Sequence, residues 1–293
     1  MSNDSETPNV NVEGILSSSL QVFLSISMWH GYVRDQEVEH TVVENAEAEN
    51  NAAIFYKKLS SCPLFKRYKK LVSRARGQHY LLTMPWLDNG VRILPASLLL
   101  EYKNRVESVI DLINAEAKHI ANNRDELNEY AKIHLGKLYK ESDVPTASDL
   151  ERAFGASVEF WPMPKTGDWR IEAEKQLIKE MDAKLSAQIE QRYNIALSNT
   201  SKKILDCARR LHKALLGKRL HASTVEAFNE LLGLIPHLNV GNDPEINSIH
   251  RQLVESVGDL DVEDLRADRT LRTRKAAKLG AIIASMEAKQ KAA

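Results

Sequence analysis

The chain has 293 residues, 43% apolar and 27% charged, enough to bury a core in one or two globular domains. Lys plus Arg equals Asp plus Glu at 40 each, so the whole-chain field selects no polyanionic partner and any such preference must be local. The only cysteines, Cys62 and Cys207, argue against a disulfide scaffold or a thiolate zinc site and are expected as reduced thiols.

The opening MSNDSETPNVNVEG lacks the basic flank and apolar stretch of a signal peptide, and residues 1–14 are expected as a disordered tail. No run approaches the roughly 18 apolar residues of a membrane span, so a soluble, cytoplasmic protein with no membrane partner is expected. Residues 20–33 place Val22, Leu24, Ile26 and Met28 on one side and Phe23, Ser25, Ser27 and Trp29 on the other. That alternation predicts a half-buried strand, with Gly31 at a bulge or turn. Residues 35–60 turn helical through Val38, Val42, Ala46 and Ala53 until Pro63 interrupts. QHYLLTMP and NGVRILP predict two short strands joined by the turn chemistry of Asp88, Asn89 and Gly90.

From Ala96 to about Lys140, Leu99, Tyr102, Val106, Val109, Ile113, Ala117, Ile120, Leu127, Ala131 and Leu138 recur at helical steps. The stripe asks for a second long helix. Residues 170–216 offer one through Ile178, Met181, Leu185, Ile189, Tyr193, Ala196, Ile204, Leu211 and Leu215. Arg124 and His134 also fall on the first stripe and are expected to reach out to water. Between the two, VPTASDLERAF predicts a short helix capped by Thr146 or Ser148, and SVEFWPM a further strand. After Gly217 come helices at 222–234, at 244–257 after Pro244, and from 261 to the end.

The expected fold class is therefore α+β, mostly α: a long antiparallel helical hairpin (about 96–140 and 170–216) with a small antiparallel sheet at one end and a C-terminal set of shorter helices. The expected domains are 15–217 and a C-terminal helical region 218–293 with a partly mobile tail.

Neither GxGxxG nor GxxxxGK[ST] occurs, nor HExxH or GxSxG, so no catalytic residue, metal or cofactor is assigned. His212 and His221 share a neighbourhood without a third ligand. Asp182 and Lys184, which with Asp168 would make a nuclease set, stand two apart on a helix and do not face each other.

Charge clustering is more informative. Residues 34–49 hold Asp35, Glu37, Glu39, Glu44, Glu47 and Glu49 against Arg34 alone, whereas 57–76 hold Lys57, Lys58, Lys66, Arg67, Lys69, Lys70, Arg74 and Arg76 without an acid. Phe65, Tyr68 and Tyr80 are interleaved, the composition of a phosphate-tracking surface with rings for stacking. The competing reading is that the basic stretch is a solvated face, or neutralises the acidic segment before it. Residues 160–170, FWPMPKTGDWR, read as a corner: Pro162 and Pro164 stop the strand, Gly167 reverses the chain and Asp168 caps the next helix. Trp29, Trp161 and Trp169 are the candidate partner-binding aromatics.

The strand ending in WHGYV, the segment MPWLDNGVRILP, the stretch VPTASDLERAF and FWPMPKTGDWR together resemble an uncharacterised helical protein family of phages and conjugative plasmids. Genes of that family often lie near those of MoxR-type AAA+ ATPases and von Willebrand A-domain proteins. The resemblance implies a non-enzymatic structural or adaptor protein that self-associates as a homo-oligomer or docks onto a protein partner, an AAA+ ATPase system among them. The alternative is a nucleic-acid-binding protein that uses the basic stretch 57–76.

Overall fold

A computed structural model describes residues 12–164, 175–258 and 260–292. In chain order these form α1 (Val12–Ser17), β1 (Ser19–Ser27), β2 (Tyr32–Arg34), α2 (Gln36–Asn45) and β3 (Tyr56–Lys58). A turn at Pro63–Phe65 leads into α3 (Lys66–Leu82), followed by β4 (Met84–Pro85), β5 (Arg92–Pro95) and α4 (Leu99–Tyr102). Then come α5 (Ser108–Asn122), α6 (Arg124–Leu135), α7 (Ala147–Ala153), β6 (Gly155–Pro162) and α8 (Lys175–Leu216). The chain closes with α9 (Ala222–Leu238), α10 (Pro244–Val257), α11 (Val262–Ala267) and α12 (Arg269–Ala292). The fold is mostly helical, with a four-stranded sheet in the order β4-β5-β1-β6 and a two-stranded sheet of β2 and β3.

Two compact units divide the chain, and neither is continuous in sequence. One comprises residues 24–79 and 102–158. Its core gathers Tyr68, Val72 and Ala75 of α3, Val109, Ile113, Ala117 and Ile120 of α5, and Leu150 of α7. In each helix those positions recur every three or four residues, so each presents one apolar face. Rings lock the centre: Phe65 stacks on Phe154 at 5.5 Å, Tyr68 meets Phe154 edge-on at 4.9 Å, and Trp29 meets Phe65 at 6.0 Å. The other unit comprises residues up to Phe23, 80–101 and 159 onward. There Ser19↔Pro95 and Val22↔Arg92 set the antiparallel register of β1 on β5, and Met84↔Ile93 that of β4 on β5. Its helical part packs α8 against α9 and α12, with α10 between α9 and α12.

Several expectations need correction. The segment 96–140 is not one helix: a π turn occupies Lys103–Glu107 and the helix stops at Asn123, whose side chain caps the His119 carbonyl at 2.8 Å. The Asn122-Asn123 pair is turn chemistry inside an otherwise periodic run. The α5 stripe is covered by α3 and α7, and the stripe of the 42-residue α8 by α9 and α12, so each long helix of the expected hairpin finds its cover within its own unit. Residues 35–60 are only partly helical, because α2 ends at Asn45 and the chain turns through Glu47 and Asn51 at positive φ before entering β3. QHYLL continues α3 instead of forming a strand. The helix Val12–Ser17, with Ile15 buried, begins three residues inside the stretch 1–14 expected as tail. The final segment also carries a core: Ala276, Leu279, Ile283 and Met286 of α12 are buried.

Candidate nucleic-acid interface

The apolar face of α3 is Tyr68, Val72, Ala75 and His79, and burying it turns Lys66, Arg67, Lys69, Lys70, Arg74 and Arg76 outward, all of them exposed. The helix sequence KRYKKLVSRARGQHYLL contains no carboxylate. Among the described residues no ion pair engages Lys66, Lys70, Arg74 or Arg76. Arg67 reaches Glu116 of α5 at 3.3 Å but stays largely exposed, and Lys69 donates to the Ser60 carbonyl. Lys58, at the end of β3, is exposed as well.

Two members of the basic stretch have other work. Lys57 is 2% exposed, and its ammonium lies 2.8 Å from Asp35, against Asp143, and 3.2 Å from the Leu138 carbonyl. Burial lowers its pKa, but the hydrogen bonds to Asp143 and Asp35 outweigh that and leave it above the ordinary lysine value. The same hydrogen bond from Lys57 holds the Asp35 carboxyl below its usual range. Tyr68 is fully buried; its hydroxyl donates to the Ser27 carbonyl at 2.6 Å and accepts from the Gly155 amide at 3.0 Å. Neither Lys57 nor Tyr68 can meet a nucleic acid, and Phe65 is buried beside Tyr68. Tyr80 is exposed on one side and covered by the Arg92 guanidinium at 4.9 Å on the other. Two of the three rings suggested by the sequence, Phe65 and Tyr68, are therefore spent on the core.

Four of the six acids in residues 34–49 are also spent elsewhere, while Glu47 and Glu49 stay exposed with no ion pair among the described residues. Asp35 pairs with Lys57, Glu39 with Arg34, Glu37 with Lys140 and Glu44 with His40. None of these carboxylates neutralises the outer face of α3.

Of the candidate aromatics, Trp29 is half-buried in the core against Phe65. Trp161 stacks on Phe23 at 6.3 Å and is 39% exposed. Trp169 and the Asp168 cap lie outside the described residues. Thr146 caps α7 in a reciprocal box with Asp149. Cys62 and Cys207 are free and buried, and burial pushes both thiols up, away from thiolate reactivity. Among the described residues no three His, Cys, Asp or Glu side chains converge as metal ligands, and no helix is long and apolar enough to cross a membrane.

Sequence reasoning also missed a half-buried lysine. Lys203 of α8 caps the end of α3, donating to the carbonyls of Tyr80 at 2.8 Å, Thr83 at 3.2 Å and Leu81 at 3.4 Å. Burial, with repulsion from Arg92, lowers it to about 8. No sequence signal marks it, since Lys202 and Lys203 are adjacent and only the helix phase decides which turns inward. Compared with protein-family models, curated proteins and solved structures, the chain has no match, so the resemblance to the phage and plasmid family rests on the quoted motifs alone.

Proposed function

We propose that the protein works by binding and that its ligand is a nucleic-acid backbone held along the outer face of α3. The observation that carries this is the uncompensated charge of that face: Lys66, Lys70, Arg74 and Arg76 are exposed on an acid-free helix, and no ion pair among the described residues joins them to the neighbouring acidic segment, four of whose six acids are paired elsewhere. Tyr80, the ring that α3 exposes, has one face taken by the Arg92 guanidinium, so the helix holds phosphates through its cations and reads no bases, and binding is expected to be independent of sequence. With about five phosphates neutralised, log K falls against log salt with a slope of about −4.5, a loss of about 500-fold between 50 and 200 mM. Fluorescence anisotropy on a labelled oligonucleotide measures this directly. No binding at 50 mM salt, or a slope shallower than about −1, refutes the reading.

A second reading keeps the adaptor. It is favoured by Trp161, whose exposed ring directly precedes Pro162; Leu16, Leu20, Pro162 and Met163 line an apolar groove of about 490 Å³. On this reading a protein partner, such as the MoxR-type AAA+ ATPase implied by the resemblance, or a second copy of the chain, docks there. A folded Trp161→Ala protein that still bound the purified ATPase and kept its oligomeric state would remove it.

A further inference from the structure

The phosphate-binding reading of α3 leaves open which form of nucleic acid it takes, and the placement of the cations around the helix decides between them. At about 100° per residue, Arg67 and Arg74 lie along one flank of the exposed face, two turns apart. Lys69 and Arg76 lie along the opposite flank, also two turns apart and about 160° around the helix from the first pair. The crest between them carries Lys66 and Lys70 in its first half and the small residues Ser73 and Gly77 in its second, all exposed. A side chain built at Gly77 would meet nothing within 4 Å, so the crest is open to an approaching surface.

Cations on both flanks do not suit a single phosphate strand, which would lie along one line. They suit a channel with negative walls on both sides and room for a helix between. The major groove of B-form DNA is such a channel: about 12 Å wide and about 8.5 Å deep, it admits a helix about 10–12 Å across. The cations span Lys66 to Arg76, roughly 15 Å of helix axis, over which a duplex presents about nine phosphates. A-form RNA has a major groove too deep and narrow for side chains to read, and single strands are held mainly by stacked rings, whereas here Phe65 and Tyr68 are buried and the exposed Tyr80 has one face occupied by the Arg92 guanidinium.

We infer, on the basis of the phosphate-binding reading, that α3 inserts into the major groove of duplex DNA. Arg67 and Arg74 then grip the phosphates of one strand, and Lys69 and Arg76 those of the other. Small Ser73 and Gly77 at the crest let the helix seat without fixing a base sequence.

The test uses the full chain and three probes of one sequence: a 24-base-pair DNA duplex, its single strand and the corresponding RNA duplex. The DNA duplex should bind at least tenfold more tightly than either other probe at 100 mM salt. Methyl green, a major-groove ligand, should compete, whereas distamycin in the minor groove should not. Arg67→Ala with Arg74→Ala, and separately Lys69→Ala with Arg76→Ala, should each reduce the salt slope by about 1.8, two contacts' worth. Ser73→Trp, which alters no charge, should weaken duplex binding at least tenfold and leave single-strand binding unchanged, with circular dichroism confirming the fold. Equal affinity for the three probes, competition by distamycin alone, or one silent flank overturns groove insertion while leaving phosphate binding intact. Absence of salt-dependent binding to every probe overturns both.

Discussion

Lys57→Met separates what the basic stretch does for the fold from what it does at the surface. Methionine keeps the apolar stem and removes the ammonium. The carboxylates of Asp35 and Asp143, 3% and 11% exposed, are then left together without their counterion, and the Leu138 carbonyl loses its donor. Removing one partner from a buried ion pair costs about 3–5 kcal/mol. At a urea m-value of about 2 kcal/mol/M, the midpoint should fall by roughly 2 M. The effect should also depend on pH with a definite sign. Asp35 titrates below its ordinary value in the folded protein, so its contribution is present above about pH 3.9 and is lost as pH falls through the folded value. Lys57 titrates above its ordinary value, so its contribution is present below about pH 10.4 and is lost as pH rises through the folded value. The gap between wild type and variant should therefore be full from about pH 4 to 10 and close on both sides. Urea melts within that range and beyond both of its ends measure it, and the same protein should bind duplex DNA with an unchanged salt slope. A destabilisation below about 1 kcal/mol, a gap that ignores pH, or a slope reduced by about 0.9 would refute the clamp.

Lys203 should show the opposite pH dependence. With its folded pKa near 8 and the unfolded chain near 10.4, the native state sheds the proton first, so wild-type stability should rise from pH 8 to 10 by up to about 1.4 kcal/mol per unit relative to Lys203→Met; a flat or falling difference in urea melts contradicts this. Gly31 sits at φ +68, with the Ser60 backbone 2.6 Å from where a β-carbon would stand and its own carbonyl accepting from Leu59 and Ser60. Gly31→Ala combines left-handed strain with overpacking and should cost about 2–5 kcal/mol in a denaturant melt, a loss under 1 kcal/mol being the refuting result. Lys66→Glu should stabilise the protein by about 0.5–1 kcal/mol while weakening duplex binding, and a variant that is destabilised or binds as before would count against the surface role of α3.

What could be read from the sequence was what local chemistry decides. The alternation of residues 20–28 gives β1, Thr146 caps α7, and Pro244 starts α10. Gly31 stands where the chain needs a positive φ. What escaped depends on distant partners. An apolar stripe says that a face is covered but not by what, and α8 finds α9 and α12 instead of the segment at 96–140. β2 and β3 are three residues each, too short for a period, and they pair across the whole of α2. Lys57 looks like any other lysine of its stretch until Asp143, far along the chain, is brought against it. Tyr68 reads as a surface ring among lysines, yet it lies on the apolar phase of α3 with Val72 and Ala75, a phase that the dense charge around it obscured.

The charge on α3 runs against the usual placement of charge along a helix, as do the starts of α8 at Lys175 and α12 at Arg269. Negative side chains are favoured in the first turn of a helix and positive ones in the last. α2 begins with Glu37 and Glu39, α6 with Asp125 and Glu126, and α11 with Glu263 and Asp264. By contrast, α3 begins with Lys66, Arg67 and Lys69 and has no acid anywhere. Each exposed cation at that end costs about 0.3–1 kcal/mol, and Lys66 with Lys70 and Lys70 with Arg74 add like-charge pairs at about 0.2–0.5 kcal/mol each. Of the carboxylates in the same unit, Asp35, Glu39 and Glu37 are committed to Lys57, Arg34 and Lys140. Inside the fold only Glu116, against Arg67, and the Ser60 carbonyl, against Lys69, offset part of that cost, and the proposed phosphate ligand would bring negative charge to both flanks of the helix.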